Sequence, residues 1–227
     1  QNYDDTAANL AAAFDGIATS TSTLTIAGTD PATVAQLMTI NAATSGNVVL
    51  NAETIAANLN GSATDLAAAF NGITTSTSTL TITGTDPATV AELMTINAAT
   101  SGNVVLNAGT DGAHLSGSAV DLAAAFDGIT SHEGGLTVSD TGAVSAADLN
   151  KISTFTAGNT WVTAASEFTG NAAELAAAVG AVTQGQNVAL TITASTPAAT
   201  IAELMTINAA TSGNVVLNPE TIAQSYD

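Results

Sequence analysis

One stretch of fifteen residues recurs unchanged and constrains the fold of this chain more than any other feature. It runs from Leu37 to Asn51 and returns at positions 93–107 and 204–218. Near-identical copies at a fixed period mark repeat architectures, so the chain is predicted to be a tandem repeat with a period of 56 residues. The predicted modules are approximately 1–56, 57–112, 113–165 and 166–227.

Each module begins with a short apolar segment that is typical of a helix, first seen at Leu10–Phe14. A polar pair three residues apart introduces each copy, as expected when the first side chain caps the helix. Gly16 follows the first copy, where a left-handed residue would end the helix. The predicted cap pairs are Thr6 with Asn9, Ser62 with Asp65, Ser118 with Asp121, and Asn171 with Glu174.

An alternating segment follows, with apolar residues separated by threonine, and this period of two predicts a strand with one buried face. The residues predicted to point inward, stacked in one continuous parallel sheet, are Leu24, Ile26, Leu80, Ile82, Leu136, Val138, Leu190 and Ile192. The threonines predicted to point outward as a regular array are Thr25, Thr81, Thr137 and Thr191.

A second helix is predicted to start at Asp30-Pro31, because an N-cap residue followed by proline suits the first helical position. The same pair recurs at Asp86-Pro87, and Thr196-Pro197 takes its place in the last module. Gly46 is expected to close this helix before a strand at Val48–Leu50. The asparagines at positions 41, 97 and 208 are expected to point inward as a ladder of stacked amides.

These elements together predict an α/β fold in which each module contributes two coils of about 28 residues, each with a strand and a helix. Stacked coils place equivalent strands side by side as parallel neighbours. We therefore predict a single repeat solenoid over residues 1–227, with two compact α/β domains as the alternative.

Composition restricts the partners of the chain. The chain has nineteen acidic residues and a single basic one, Lys151, which gives a net charge of −18. Nucleic-acid-binding proteins need clustered lysine and arginine, so this class is excluded, and no apolar run is long enough for a membrane helix. The chain has no cysteine, and its acidic, lysine-poor composition favours an extracellular or cell-surface location.

The segments SATDLAAAFNGI, at positions 62–73, and TVAELMTINAATSGNVVLN, at positions 89–107, carry a family resemblance. Their pairing resembles the tandem repeats of very large secreted proteins of marine bacteria and cyanobacteria, of adhesin or surface-layer type. The resemblance covers nearly the whole chain. It implies a structural role at the cell surface, in which such repeats act as spacers.

No motif for catalysis is recognised, and we predict that the chain is not an enzyme and needs no cofactor. The two histidines, His114 and His132, lie with Lys151 in the third module, which has diverged and carries Trp161 where its copies have valine. Histidine with carboxylates could form a metal site in this module, but sequence drift is favoured because no ligand spacing is present.

Two sets of positions could also ligate calcium. Asp15, Asn71 and Asp127 precede glycines, which is more typical of helix ends and turns than of cation ligands. Asp30 and Asp86 are better explained as helix caps.

The two ends of the chain align with the same point of the module, because both match the segment near Leu59. Repeat proteins need something to shield their terminal coils. We therefore expect either a longer polypeptide or head-to-tail stacking of copies. The candidate residues for this axial interface are Gln1, Asn2, Tyr3, Asp4, Ser225, Tyr226 and Asp227.

Two functional hypotheses follow. The first is an extracellular structural repeat protein that forms or extends a filament, sheath, surface layer or adhesin stalk by end-to-end stacking. The second is a solenoid face that binds ice or a polysaccharide through the outward threonines. The first is favoured, because threonine is also simply a good strand residue.

Overall fold

The computed structural model describes residues 2–129, 132–184, 187–193 and 198–218, and these form an α/β fold. The helices are α1 (Ala7–Phe14), α2 (Val34–Ala43), α3 (Ala52–Ala56), α4 (Ala63–Phe70), α5 (Val90–Ala99), α6 (Ala108–Asp111), α7 (Ala119–Ala125), α8 (Ala146–Phe155), α9 (Ala172–Ala181) and α10 (Ile201–Ala210). The strands are β1 (Tyr3–Asp5), β2 (Leu24–Ile26), β3 (Val48–Val49), β4 (Asn58–Gly61), β5 (Thr79–Ile82), β6 (Val104–Val105), β7 (Leu115–Gly117), β8 (Leu136–Val138), β9 (Ala143–Ser145), β10 (Thr160–Val162), β11 (Glu167–Gly170), β12 (Thr183–Gln184), β13 (Ala189–Ile192) and β14 (Val215–Val216).

The chain divides into two compact units, Gln1–Asp111 with Ala124–Ile129, and Gly112–Ala123 with Thr130–Asp227. The first contains the sheets β1-β2-β3 and β4-β5-β6, and the second contains β7-β8-β10-β12 and β9-β11-β13-β14. Within the first unit, α1 packs on α2, α2 on α4, and α4 on α5. Within the second, α8 packs on α9 and α9 on α10.

All the described strand pairs are parallel, which confirms the predicted α/β class with parallel sheets. The eight strand residues predicted to point inward are also confirmed as core, since each is at most 2 % exposed. Alternation along a strand assigns the side chains to its two faces, so period two was sufficient for this prediction.

The prediction that these eight residues share one continuous sheet is wrong, because they are distributed over four sheets, one pair in each. Leu24 in β2 is in register with Tyr3 of β1 and Val48 of β3. The segments between successive copies therefore supply the neighbouring strands. Among the described strands, equivalent copies 56 residues apart do not pair.

The four predicted N-cap pairs are confirmed, because in each the first side chain accepts a hydrogen bond from the backbone N–H three residues later. The distances are between 2.9 Å, for Asn171 and Glu174, and 3.3 Å, for Thr6 and Asn9. Gly16, with φ of +75°, has the left-handed backbone conformation predicted for it.

The predicted start of the second helix at Asp30-Pro31 is wrong, because α2 begins three residues later with Thr33 as its N-cap. Thr33 accepts from the backbone N–H of Gln36, and the Gln36 side chain accepts from the backbone N–H of Thr33. This reciprocal capping box satisfies two N–H groups at once. It recurs as Thr89 with Glu92 and as Thr200 with Glu203, so Asp86 is not the cap either, while Thr196-Pro197 lies outside the described residues.

Gly46 does not close α2, which ends at Ala43. A Cβ at position 46 would meet the backbone carbonyl oxygens of Thr21 and Ser22. Glycine is therefore needed here for a close approach of two backbone segments.

Candidate functional site

A hydrogen-bonded contact between helices recurs in the first unit. The Asn41 side chain of α2 donates from Nδ2 to the carbonyl oxygens of Ala68 and Asn71, both at 3.0 Å. These carbonyls lie at the C-terminal end of α4, where the last turn of a helix has unsatisfied acceptors. The Asn41 amide thus joins α2 to the C-terminal end of α4.

The same contact recurs one module later. Asn97 of α5 donates from Nδ2 to the carbonyl oxygens of Ala124 and Asp127, at 2.9 and 2.8 Å. The predicted ladder of stacked amides is therefore wrong, because these amides bind backbone carbonyls, and Asn208 is exposed. The N–H groups of asparagine suit this role, since carbonyl oxygens accept and cannot donate.

Apolar side chains complete the contact. Ile73, which follows α4, is 5 % exposed, and Ala69 is fully buried. On the facing helices, Met38 of α2 and Met94 of α5 are half-buried. Burial of this apolar surface stabilises the stacking of helix on helix.

The α1 face exposes residues that its copies bury. Ile17 is 43 % exposed, although it occupies the position of Ile73, and Ala13 is exposed where Ala69 is buried. The carbonyl oxygens that correspond to the acceptors of Asn41 belong to Ala12 and Asp15. No side chain of the described residues donates to them.

The α10 face shows the complementary difference. Met205 is 68 % exposed, and Ile201 is exposed as well. Leu204 is half-buried, although the equivalent Leu37 is fully buried. Asn208, the copy of Asn41 and Asn97, is exposed and has no acceptor among the described residues.

The predicted axial residues fall partly within the structure. Asn2, Tyr3 and Asp4 are exposed, and the Tyr3 ring meets the edge of Phe14 with ring centroids 5.3 Å apart. The other four, Gln1, Ser225, Tyr226 and Asp227, lie outside the described residues. Sequence reasoning named the chain ends and missed the exposed faces of α1 and α10.

The four threonines of the predicted outward array are each half-buried and belong to four different sheets. The residues in register with Thr25 on the two neighbouring strands are Asp4 and Val49, so no threonine lies beside it in the sheet. Thr137 has a different neighbourhood, because its hydroxyl lies 2.8 Å from Nε2 of His114.

The divergent residues of the third module occupy separate local environments. The His114 ring lies against Trp161, with centroids 5.1 Å apart, on one face of β7-β8-β10-β12. His132 is buried and forms a parallel bridge with Thr156. The Lys151 ammonium lies 6.0 Å from the centre of the Phe155 ring.

Two acidic side chains are engaged in hydrogen bonds at helix starts. Bonds from the Asn9 side chain and the Thr6 backbone lower the pKa of Asp5. Partial burial raises the pKa of Glu92, but hydrogen bonds from the Thr89 backbone and from the Thr64 and Thr89 hydroxyls outweigh it and lower the pKa overall. Among the described residues, no group of three or more His, Asp or Glu side chains is placed to hold a metal ion.

We expect the melting temperature to rise between low salt and ~0.5 M NaCl, because salt screens the repulsion among acidic side chains. Calcium at matched ionic strength should add little. Differential scanning calorimetry in NaCl, with and without CaCl2 at constant ionic strength, measures both effects. A large calcium effect that saturates would show that the carboxylates form cation sites.

No helix in the described part of the chain has the length and apolar character needed to cross a lipid bilayer. No protein-family model, curated protein or solved structure matches the chain.

Proposed function

We propose that the chain is a non-enzymatic structural repeat protein of the cell surface, whose stacked coils form a solenoid that extends end to end. The observation that carries this proposal is the pair of exposed helix faces on α1 and α10. Each presents the residues that its internal copies bury against another helix. Assemblies of this kind include filaments, sheaths, surface layers and adhesin stalks.

The spacing of the helices supports the solenoid. Helices of seven to ten residues begin at positions 7, 34, 63, 90, 119, 146, 172 and 201, which corresponds to one helix per coil of about 28 residues. The parallel pairing of strands within each sheet supports the same arrangement, since stacked coils bring their strands together in parallel. Repeats of this type bury a continuous core only when neighbours stack.

The net charge of −18 restricts the choice of partners. A field of this sign repels nucleic acid and anionic lipid, and it repels other copies of the chain as well. Association must then come from uncharged contacts, and the two exposed faces are made of alanine, isoleucine, methionine and asparagine. An extracellular location is proposed on the basis of the acidic, cysteine-free composition.

The second hypothesis, a threonine face for ice or polysaccharide, has weaker support. Recognition by an array needs side chains that are exposed and regularly spaced on one surface. The four threonines are half-buried and are divided among four sheets.

End-to-end association predicts that the weight-average mass of the purified chain rises with concentration. Sedimentation equilibrium over a wide concentration range measures this, and electron microscopy of the most concentrated sample should show linear particles. We expect the association to persist in ~0.5 M NaCl, because the exposed faces carry few charges. A chain that remains monomeric at every concentration would contradict the proposed assembly.

A further inference from the structure

The two exposed faces have the sequences of an internal contact that the structure describes. Residues 204–210, in α10, read LMTINAA, which is identical to 93–99 in α5. Residues 10–17, in and after α1, read LAAAFDGI, identical to 122–129. Within the first unit, Asn97 donates to the carbonyls of Ala124 and Asp127 at this contact. The chain therefore carries the sequences of both halves of this interface a second time, in α10 and in and after α1.

We infer that α10 of one copy docks on α1 of a second copy, with Nδ2 of Asn208 donating to the carbonyl oxygens of Ala12 and Asp15. This inference rests on the proposed function and names the surfaces that perform it. In this contact, Met205 and Ile201 cover Ala13 and Ile17 of the second copy.

The asparagine gives the contact a defined register. Its two N–H groups must face two carbonyls three residues apart, and a shift of one helical residue removes both bonds. Apolar contacts alone tolerate sliding, whereas paired hydrogen bonds in a desolvated interface do not. The terminal carbonyls of α1 are also acceptors that a helix end leaves unsatisfied.

The contact is heterologous, because two different surfaces meet. A pair of bound copies still has one free α1 face, on one copy, and one free α10 face, on the other. Further copies can therefore add along one axis, unless the row of copies closes into a ring. A symmetric dimer is not expected.

Two variants, each of which blocks one face, test whether an α10 face binds an α1 face. Met205→Glu places a carboxylate in the α10 face, and Ile17→Glu places one in the α1 face. Each is expected to weaken self-association about a hundredfold, because apolar burial is lost and a charge is desolvated. An equimolar mixture should form a 1:1 heterodimer, since each variant keeps the face that the other lacks.

The matched control is Val120→Glu. The exposed fraction of Val120, 66 %, is similar to that of Met205, 68 %. Val120 belongs to α7 and lies outside both faces. This variant adds the same charge to the chain and should associate like the unmodified protein. If all three glutamate variants associate equally, or if the mixture forms no heterodimer, the inference is overturned. The proposed function would then survive only if the unmodified chain still associates.

Asn208→Asp tests the hydrogen bonds, because aspartate has nearly the same shape but its carboxylate cannot donate. We expect association to weaken at least about tenfold relative to Val120→Glu, which carries the same added charge. The melting temperature of the monomer should not change, since Asn208 is exposed. Unchanged association of Asn208→Asp would overturn the amide contact.

Discussion

Replacing Ile73 by alanine is expected to lower the free energy of unfolding by about 2–5 kcal/mol, the usual cost of truncating a buried aliphatic side chain. Ile73 is 5 % exposed and follows the last turn of α4, where its backbone N–H donates to the carbonyl of Phe70 at 2.9 Å. Two residues earlier, the Asn71 carbonyl accepts a hydrogen bond from Asn41 of α2, so α2 lies close to this end of α4. Removing three carbons leaves a cavity that rigid neighbours fill only in part. Urea denaturation monitored by circular dichroism measures the change.

Ile17→Ala is the matched control, because Ile17 has the same sequence context and is 43 % exposed. Its backbone N–H makes the equivalent hydrogen bond to Phe14, also at 2.9 Å. In the monomer this substitution should cost less than about 1 kcal/mol. The difference between the two measures what a covering helix contributes at this position. Equal costs would mean that the burial of Ile73 does not depend on helix stacking.

The buried face of each strand and the N-caps of the first helix in each module could be predicted, because both depend on residues only two or three positions apart in the sequence. Leu24 and Ile26 alternate with threonine, and alternation alone assigns them to one face. Ser62 and Asp65 lie three residues apart, which is the spacing of a cap and its N–H donor. These signals need no knowledge of what the segment packs against.

The sheets could not be predicted from the 56-residue period. The neighbours of β5 are β4 and β6, which carry different sequences from β5 and from one another. Period analysis links identical residues, whereas the sheet links residues about half a module apart. Leu80, for example, is in register with Leu59 and Val104. Pairing depends on how many residues separate neighbouring strands, which a comparison of identical copies does not show.

The start of the second helix was misplaced because two N-cap signals compete within four residues. Proline after Asp86 suits a first helical position. Thr89 with Glu92, however, makes two reciprocal bonds, and the capping box therefore sets the start of α5. Asp86 instead offers its backbone carbonyl to the Asn107 side chain, at 3.0 Å. The long-range partner at Asn107 was not visible in a local pattern.

The hydrogen-bonding role of Asn41 could not be predicted from the local sequence for the same reason. An asparagine near a helix end is equally compatible with a stack of amides and with a bond to a distant backbone. The acceptors, Ala68 and Asn71, lie 27 and 30 residues further along the chain. Only the packing of α2 on α4 brings them within hydrogen-bonding distance.

Gly102→Ala is expected to destabilise the protein by about 3 kcal/mol, since overpacking typically costs 1–3 kcal/mol and the obstacle here is backbone. An alanine Cβ would come closer than 3.0 Å to the carbonyl oxygens of Thr77 and Ser78. The Thr100 hydroxyl bridges the same two backbone segments. It accepts from the Gly102 N–H at 2.9 Å and donates to the Ser78 carbonyl at 2.6 Å. Moving either backbone segment away would break this bridge.

Gly180→Ala is the matched control for the loss of a glycine. Gly180 lies in α9, and an added Cβ there would meet no atom within 4 Å. This substitution should raise the free energy of unfolding by about 0.5–1 kcal/mol, because alanine is the better helix former. Thermal unfolding of both variants beside the unmodified chain gives opposite shifts. A Gly102→Ala protein as stable as the unmodified chain would show that the two backbone segments can separate at this point, and that the Thr100 bridge does not hold them together.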